Sequence, residues 1–161
     1  MADSEQNKPA GASTGNDRNV IVHRMYIKDA SFEAPNSPEV FSGNWEPKIT
    51  LNIKTDHRHL EKIGANHWEV SLHVSVEAIH GEQTALLAEV EQAGIFEFSG
   101  FEGEEFNRIL GAYCPSVIYP YAREAIGSLV AKGGFPQLVI QPLNFEAMFR
   151  AHQEQAAAKQ A

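Results

Sequence analysis

The sequence contains little of what secretion or membrane insertion requires. Cys114 is its single cysteine, so the chain cannot form an internal disulfide, and a reducing compartment suits it better than secretion. No segment approaches the roughly 18 uninterrupted apolar residues typical of a transmembrane helix. The polar N-terminus MADSEQNKPAGASTGND lacks the apolar core of a secretory signal. We therefore expect a cytoplasmic protein that does not insert directly into a membrane.

Basic residues are absent from a long central segment. No Lys or Arg occurs between Lys62 and Arg108, and the net charge of the 161-residue chain is −8. The carboxylates of this segment are Glu69, Glu77, Glu82, Glu89, Glu91, Glu97, Glu102, Glu104 and Glu105. Nucleic acids and anionic membranes bind clusters of Lys and Arg, so neither is an expected partner. A basic protein partner fits the charge, and so does a merely solubilising acidic surface.

Motifs of catalysis are also scarce. The sequence has neither GxxxxGK[ST] nor GxGxxG, so a nucleotide-binding phosphate loop is not supported. Cys114 lies in GAYCPSV without a neighbouring histidine, which indicates a buried structural thiol. His57, His59 and His67 have a spacing that zinc could use, but Arg58 and a turn-like setting favour a solvated loop. We predict no catalytic residue, no metal and no cofactor.

The apolar pattern predicts four strands followed by helices. Residues 1–19 have almost nothing to bury and indicate a disordered tail. Extended alternation predicts strands near 20–32, 48–55, 68–78 and 84–98, and the first of these has no clean apolar face. The proline-rich segment EAPNSPEVFSGNWEP between the first two is long enough for a functional loop. Short turns between strands indicate an antiparallel sheet whose one face is buried and whose other face is wet and acidic.

Helical spacing begins after Gly100. We expect a helical opening over 102–113 that Pro115 interrupts, then a helix starting near Tyr119 because proline fits only the first turn. Gly133 and Gly134 should end this helix. Asn144 can cap a last short helix, and residues 151–161 form a flexible or frayed tail. The fold class is therefore α+β, a four-stranded antiparallel sheet with helices packed on one face.

Aromatic and aliphatic side chains suggest a binding groove. The proline-rich loop, the second strand and the last helix supply Phe41, Trp45, Ile49, Leu51, Ile53, Leu143, Phe145, Met148 and Phe149. If loop and helix flank the strand, these residues line an apolar groove able to accept diverse apolar segments. For the three strand residues, packing in the core is an equally good interpretation.

Three unusual segments resemble the SecB protein-export chaperones of bacteria. They are YIKDASFEAPNSPEVF (26–41) with Trp45 following, GAYCPSVIYPYARE (111–124) and GGFPQLVIQPLNFEAMF (133–149). The resemblance covers residues 20–150, which we take as one SecB-like domain. The tail HQEQAAAKQA departs from the family, in which the C-terminal extension contributes to binding the SecA motor.

The resemblance implies an ATP-independent cytosolic chaperone. It would bind unfolded precursor proteins, keep them competent for translocation and transfer them to SecA. It would assemble as a homotetramer, a dimer of dimers in which first strands pair and long helices pack between dimers. The positions that match the SecA-facing sheet residues are Asp29, Glu33, Leu87 and Glu89, and the substrate groove would use the apolar residues named above.

Two alternatives stay open at this stage. One is a SecB-like chaperone dedicated to a single client such as an antitoxin. The other is a small metal-dependent enzyme that uses His57, His59 and His67.

Overall fold

Alternating residues pair into one antiparallel sheet, as the sequence predicts. The computed structural model describes residues 17–160; residues 1–16 of the predicted tail, and Ala161, lie outside the described residues. The strands are β1 (Asn19–Glu33), β2 (Lys48–His59), β3 (His67–His80) and β4 (Gln83–Ser99). Their order across the sheet is β1-β4-β3-β2, so β1 and β2 are the edges. The α+β class is confirmed, whereas the dimer of dimers stays a prediction.

Strand β2 is longer than the alternation predicted. It continues past Thr55 to His59, because His57 and His59 keep their register opposite Val70 and Trp68 of β3. The turn-like setting that we expected for these histidines is therefore wrong. Strand β1 is largely exposed on both faces, which agrees with its lack of a clean apolar side.

The helices cover one face of the sheet. They are α1 (Gly103–Arg108), a π-helical turn (Ile109–Tyr113), α2 (Cys114–Lys132) and α3 (Phe145–Gln160); a short 3₁₀ turn, Glu39–Phe41, lies in the proline-rich loop. Helix α2 packs on β3 and β4. Its Ile118, Ala122 and Ile126 meet the inward side chains of those strands. Burying one apolar face of sheet and helix together is the main source of stability in such a two-layer fold.

The expected helix start near Tyr119 is wrong. The chain is helical from Gly103, and the Cys114 amide donates to the Ile109 carbonyl across the wider π-helical turn. Pro115 follows directly, and the wider π-helical turn before it lets the helix continue without a break although proline has no amide proton to donate. Pro120 lies inside α2 on its exposed side, so the carbonyl it leaves unpaired can reach water.

Both predicted helix ends are confirmed. Gly134 has φ +85°, and the Phe135 amide donates to the Val130 carbonyl, which closes α2 in a left-handed cap. Asn144 Oδ1 accepts a hydrogen bond of 3.0 Å from the Ala147 amide at the start of α3. Helix α3 is not short: it continues through residues 151–160, whose side chains are exposed. That this segment frays in solution stays a prediction.

Candidate functional site

The proline-rich loop packs its aromatic residues on the segment that follows α2. The ring centroids of Phe41 and Trp45 lie 5.0 Å and 5.3 Å from that of buried Phe135. Trp45 also stacks near His80, with centroids 5.4 Å apart. Phe41 remains 47% exposed although it touches this cluster. The loop therefore presents a rigid aromatic surface that is only half buried.

Strand β2 continues this apolar surface. A small cavity of about 70 Å³ is lined by Trp45, Pro47, Ile49, Ala78, Leu86, Val130, Pro136, Gln137 and Leu138. Ile49 is 41% exposed at its edge, while Leu51 and Ile53 on the same face are partly buried. These strand residues are thus neither fully in the core nor free. Both predicted loop residues, Phe41 and Trp45, therefore share one surface with Ile49 of β2.

The α3 residues lie elsewhere. Buried Phe145 meets the Tyr119 ring edge-on at 5.5 Å, and Phe149 packs so closely on Gly111 that a Cβ there would overlap its ring. Arg108 Nε and Glu146 Oε1 form an ion pair of 2.6 Å that holds α3 against α1. Met148 is exposed. Leu143, which we placed on this helix, instead precedes it in the linker.

The predicted groove residues therefore fall into two groups along α2. The aromatic cluster lies near Val130, whereas α3 begins beside Tyr119, a helical rise of about 16 Å away. The linker between α2 and α3 joins the two groups, and Tyr119 Oη holds it by donating to the Gln141 carbonyl at 2.7 Å. From the sequence we assigned to the groove only Leu143 of this linker. Its hydrophobic run, LVI at 138–140, was the available signal.

A larger open trough follows the linker. Its volume is about 780 Å³, and its lining is Pro120, Arg123, Glu124, Gly127, Ala131, Gln137, Leu138, Val139, Ile140 and Pro142. Val139 is 68% exposed within it. Exposed apolar side chains on an extended segment are suited to contact with another polypeptide.

The four predicted partner-facing residues lie together on the open face of the sheet. In the β1–β4 register Glu33 is opposite Leu87, Ser31 is opposite Glu89, and Asp29 is opposite Glu91. Side chains directly opposite each other share a face. Glu77 of β3 is opposite Leu87 on its other side and extends the negative charge. We call Asp29, Glu33, Glu77, Leu87, Glu89 and Glu91 the acidic face.

A buried carboxylate marks the other half of the open face. Glu69 of β3 is 7% exposed. It accepts hydrogen bonds from Tyr26 Oη, from Lys28 Nζ at 3.0 Å and from Arg58 Nη2 at 3.3 Å. Tyr26 and Lys28 reach it across β4, where Ala93 lies directly opposite Tyr26 and Ile95 directly opposite Glu69. One carboxylate thus ties both edge strands to the centre.

The pKa values of this network follow from its contacts. Burial by itself raises the pKa of Glu69, but the hydrogen bonds from Tyr26 and Lys28, with the charges of Lys28 and Arg58, outweigh it and hold that pKa below its usual range. Burial and the neighbouring Glu69 carboxylate raise the pKa of Tyr26. Tyr26 therefore stays a neutral donor and Glu69 a charged acceptor.

The residues considered for chemistry are not assembled for it. His57 and His59 pack around the Trp68 ring, at centroid distances of 5.7 Å and 4.8 Å. His67 precedes Trp68 on β3 and faces the opposite side of the sheet, so the three histidines do not converge. The metal-enzyme alternative is wrong on this geometry. Burial raises the pKa of Cys114 to about 12, so its thiol is not a ready nucleophile.

Within residues 17–160, no helix combines the length and the apolar character needed to cross a membrane.

The sequence is similar to a known protein family and to its members. The family model for the preprotein translocase subunit SecB matches residues 13–156. The protein-export protein SecB of Alkalilimnicola ehrlichii is 47% identical over 86% of this chain and 72% of its own length. That of Marinobacter nauticus is 43% identical over 99% and 96%.

A solved structure shares the fold. A Mycobacterium tuberculosis SecB-like chaperone, in complex with a ChAD peptide from the HigA1 antitoxin, superposes with a TM-score of 0.63 at 16% identity and covers 77% of this chain and 90% of its own. The predicted resemblance is confirmed, and with it the expectation of a chaperone rather than an enzyme. The chain belongs to the SecB family of protein-export chaperones.

Proposed function

We propose that this protein binds unfolded precursor polypeptides in the cytoplasm without ATP and delivers them to SecA. Membership of the SecB family carries the proposal. The apolar strip formed by Phe41, Trp45 and Ile49 supports it: Phe41 and Ile49 are 47% and 41% exposed, Trp45 is partly buried, and contiguous apolar surface marks interaction sites. The sequence has no phosphate loop, which agrees with a binding cycle that uses no nucleotide.

The strip selects unfolded chains because only these expose apolar side chains that it can contact. Folded proteins have already buried most of their large apolar side chains, whereas a precursor held before export has not. A client loses conformational freedom on binding, so each contact is weak. The strip, the linker trough and α3 lie in sequence along α2, and a client in extended form can engage them one after another. Linked weak contacts then give useful avidity.

The same reasoning favours an oligomer. Strand β1 is an unpaired edge in this chain, and it exposes Ile21, Val22 and Ile27. Exposed apolar edge strands invite pairing with a second copy. We propose a dimer of dimers with β1 pairing across the dimer. Its mass in solution should be about 71 kDa, four times the 17.8 kDa chain; a stable monomer would contradict this assembly.

The acidic face is the proposed SecA contact. Asp29, Glu33, Leu87 and Glu89 form a compact surface on adjacent strands, and the segment that carries Leu87 and Glu89 has no basic residue. Charges of one sign raise the association rate with a basic partner and suppress wrong partners.

Client binding is tested by suppression of aggregation. An unfolded precursor is diluted from denaturant, and light scattering is recorded without ATP at one tetramer per client. We expect full protection by the wild type and a clear loss with Ile49→Ser. Ile63→Ser is the matched control, because Ile63 is 58% exposed in the β2–β3 turn, about 33 Å from Ile49 along β2. Equal protection by both variants would remove β2 from the groove.

SecA delivery is tested by a charge reversal. Glu89→Lys should weaken SecA binding at least several-fold, and the difference in affinity from the wild type should grow as the salt concentration falls. Client protection should be unchanged. Glu61→Lys makes the same charge change in the β2–β3 turn, away from the acidic face, and should bind SecA as the wild type does. If both reversals act equally, net charge rather than this surface determines the interaction.

Client profiling separates a general chaperone from a dedicated one. Crosslinking in growing cells should recover many precursors. A single dominant client, such as an antitoxin, would instead favour the dedicated form.

A further inference from the structure

Two histidines and a carboxylate meet on the open face of the sheet, at the far end of the strands from the acidic face. His67 begins β3 and lies directly opposite Glu97 of β4, so both side chains project from the open face. On the other side of β4, the β1 ladder shifts register between Val22 and Arg24. This bulge releases His23 from pairing and turns it toward the other two. Bulges commonly re-aim a side chain in this way.

The geometry of this cluster is close to that of a ligand set. His23 Nε2 lies 2.6 Å from Glu97 Oε2, and His67 Nε2 lies 3.7 Å from the same oxygen. The two imidazole rings stack with centroids 5.0 Å apart. One ligand atom from each of the three residues lies within 4.8 Å of the others. Zinc bonds of about 2.0–2.2 Å place neighbouring ligand atoms about 3.3 Å apart, so adjustments of about 1–1.5 Å suffice.

We propose that His23, His67 and Glu97 form a binding site for a divalent transition-metal ion of the zinc class. Two imidazole nitrogens and one carboxylate are ligands that Zn²⁺, Ni²⁺ and Cu²⁺ accept, whereas Mg²⁺ and Ca²⁺ require oxygen ligands. The side chains of His23 and Glu97 are partly exposed, so they can move to the ion without moving the strands. Exposure also leaves a fourth position to water or to a partner's side chain.

The surroundings of His67 set the character of the site. Its Nδ1 is buried beside Gly64 and has no hydrogen-bond partner among residues 17–160. A metal-bound imidazole usually donates its second N–H to an acceptor that fixes the ring. Without that support the site should bind its ion modestly and exchange it readily. A bound ion would clamp β1 to β3 across the end of β4, adding metal bonds to the present ring stacking of His23 on His67 and the His23–Glu97 hydrogen bond.

Titration of the untagged full-length protein with Zn²⁺ tests the proposal. Calorimetry should give one Zn²⁺ per chain, no response to Mg²⁺ and a higher Tm in the presence of Zn²⁺. His23→Ala changes an exposed side chain and should lower the affinity at least about tenfold, as should Glu97→Gln. The double variant His57→Ala/His59→Ala removes two imidazoles elsewhere, one more than His23→Ala does, and should keep the wild-type affinity.

Co²⁺ provides a readout that does not depend on stability. Replacing Zn²⁺ by Co²⁺ should give visible absorption bands in the wild type and in the His57→Ala/His59→Ala control, and not in His23→Ala. Zn²⁺ binding that is absent in the wild type, or unchanged in both His23→Ala and Glu97→Gln, would overturn the site. Neither result bears on client or SecA binding, so the proposed chaperone function stands or fails separately.

Discussion

The two faces of the sheet are held by different forces. On the helix-covered face the strands contribute mostly apolar side chains, and Leu72, Val76 and Phe96 are fully buried there. Gln92, opposite Leu72, is a buried polar exception. On the open face the strands contribute carboxylates, hydroxyls and histidines, and one buried residue, Glu69, links three strands. The first face provides stability through apolar burial. The second retains charges that do little for stability, which is expected of a surface kept for recognition.

The largest effect on stability should follow from removing a large buried side chain from the helix-covered face. Phe96→Ala removes a fully buried ring that stacks on Phe98, and we expect a loss of about 3–5 kcal/mol in the free energy of unfolding. Ile95→Ala, one residue away on the open face, should cost less than half as much. Denaturant unfolding at fixed protein concentration measures both. Equal losses would mean that the open face is covered in the assembled protein.

A smaller effect should follow from removing Glu69, the buried carboxylate of the open face. Glu69→Ala leaves Tyr26, Lys28 and Arg58 without their acceptor, and we expect a loss of about 1–2 kcal/mol. The value lies low in the usual range because Lys28 and Arg58 are exposed enough to regain water. Glu77→Ala is the control on the same strand and face. If Glu77→Ala lowers the free energy of unfolding as much as Glu69→Ala does, the hydrogen-bond network of Glu69 makes no specific contribution to stability.

The network also predicts how stability depends on pH. The pKa of Glu69 is lower in the folded chain than the ordinary value of 4.5, so the unfolded chain takes up a proton first as the pH falls. The contribution of Glu69 is present above the ordinary value and is lost as the pH falls through the folded pKa. Unfolding of Glu69→Gln between pH 3 and pH 7 should therefore show a shallower acid slope than the wild type. An identical slope would mean that other carboxylates dominate.

The smallest effect should have the opposite sign. Asp29 and Glu91 lie directly opposite each other on β1 and β4, and like charges in such pairs are unfavourable. Glu91→Gln should therefore leave stability unchanged or raise it by at most about 0.5 kcal/mol. The same variant should weaken SecA binding if the acidic face is the contact. A fall in stability would show that Glu91 has a favourable partner, either His73, which lies directly opposite it on β3, or a group of a second copy.

Much of the fold could be predicted because local patterns reported it directly. Leu86, Ala88 and Val90 alternate with Leu87, Glu89 and Glu91, and the structure buries the first set and leaves the second on the open face. The helix end at Gly133 and Gly134 and the Asn144 cap depend on backbone geometry a few residues long. The helix start was missed because a π-helical turn lets the chain pass Pro115 without a break, and no local pattern marks such a turn.

The candidate site was only partly predictable. Strand parity puts Asp29 on one face with Glu33, and Leu87 on one face with Glu89. The β1–β4 pairing that brings the two pairs together joins segments distant in sequence, so a local pattern could not supply it. Phe41, Trp45 and Ile49 come together, but α3 packs beside the π-helical turn, about 16 Å further along α2. The linker from Phe135 to Leu143 had no periodic pattern to identify it.

By itself the sequence determined where the strands and helix caps lie and that one sheet face is apolar and the other acidic. These features depend on residues two to four positions apart. The tertiary structure alone decided which distant residues meet. Tyr26 of β1 reaches Glu69 of β3 across the intervening strand β4, and His23 reaches Glu97 beside a bulge in β1. Contacts across strands depend on register and side-chain size in a neighbouring segment, and a local pattern in one segment contains neither.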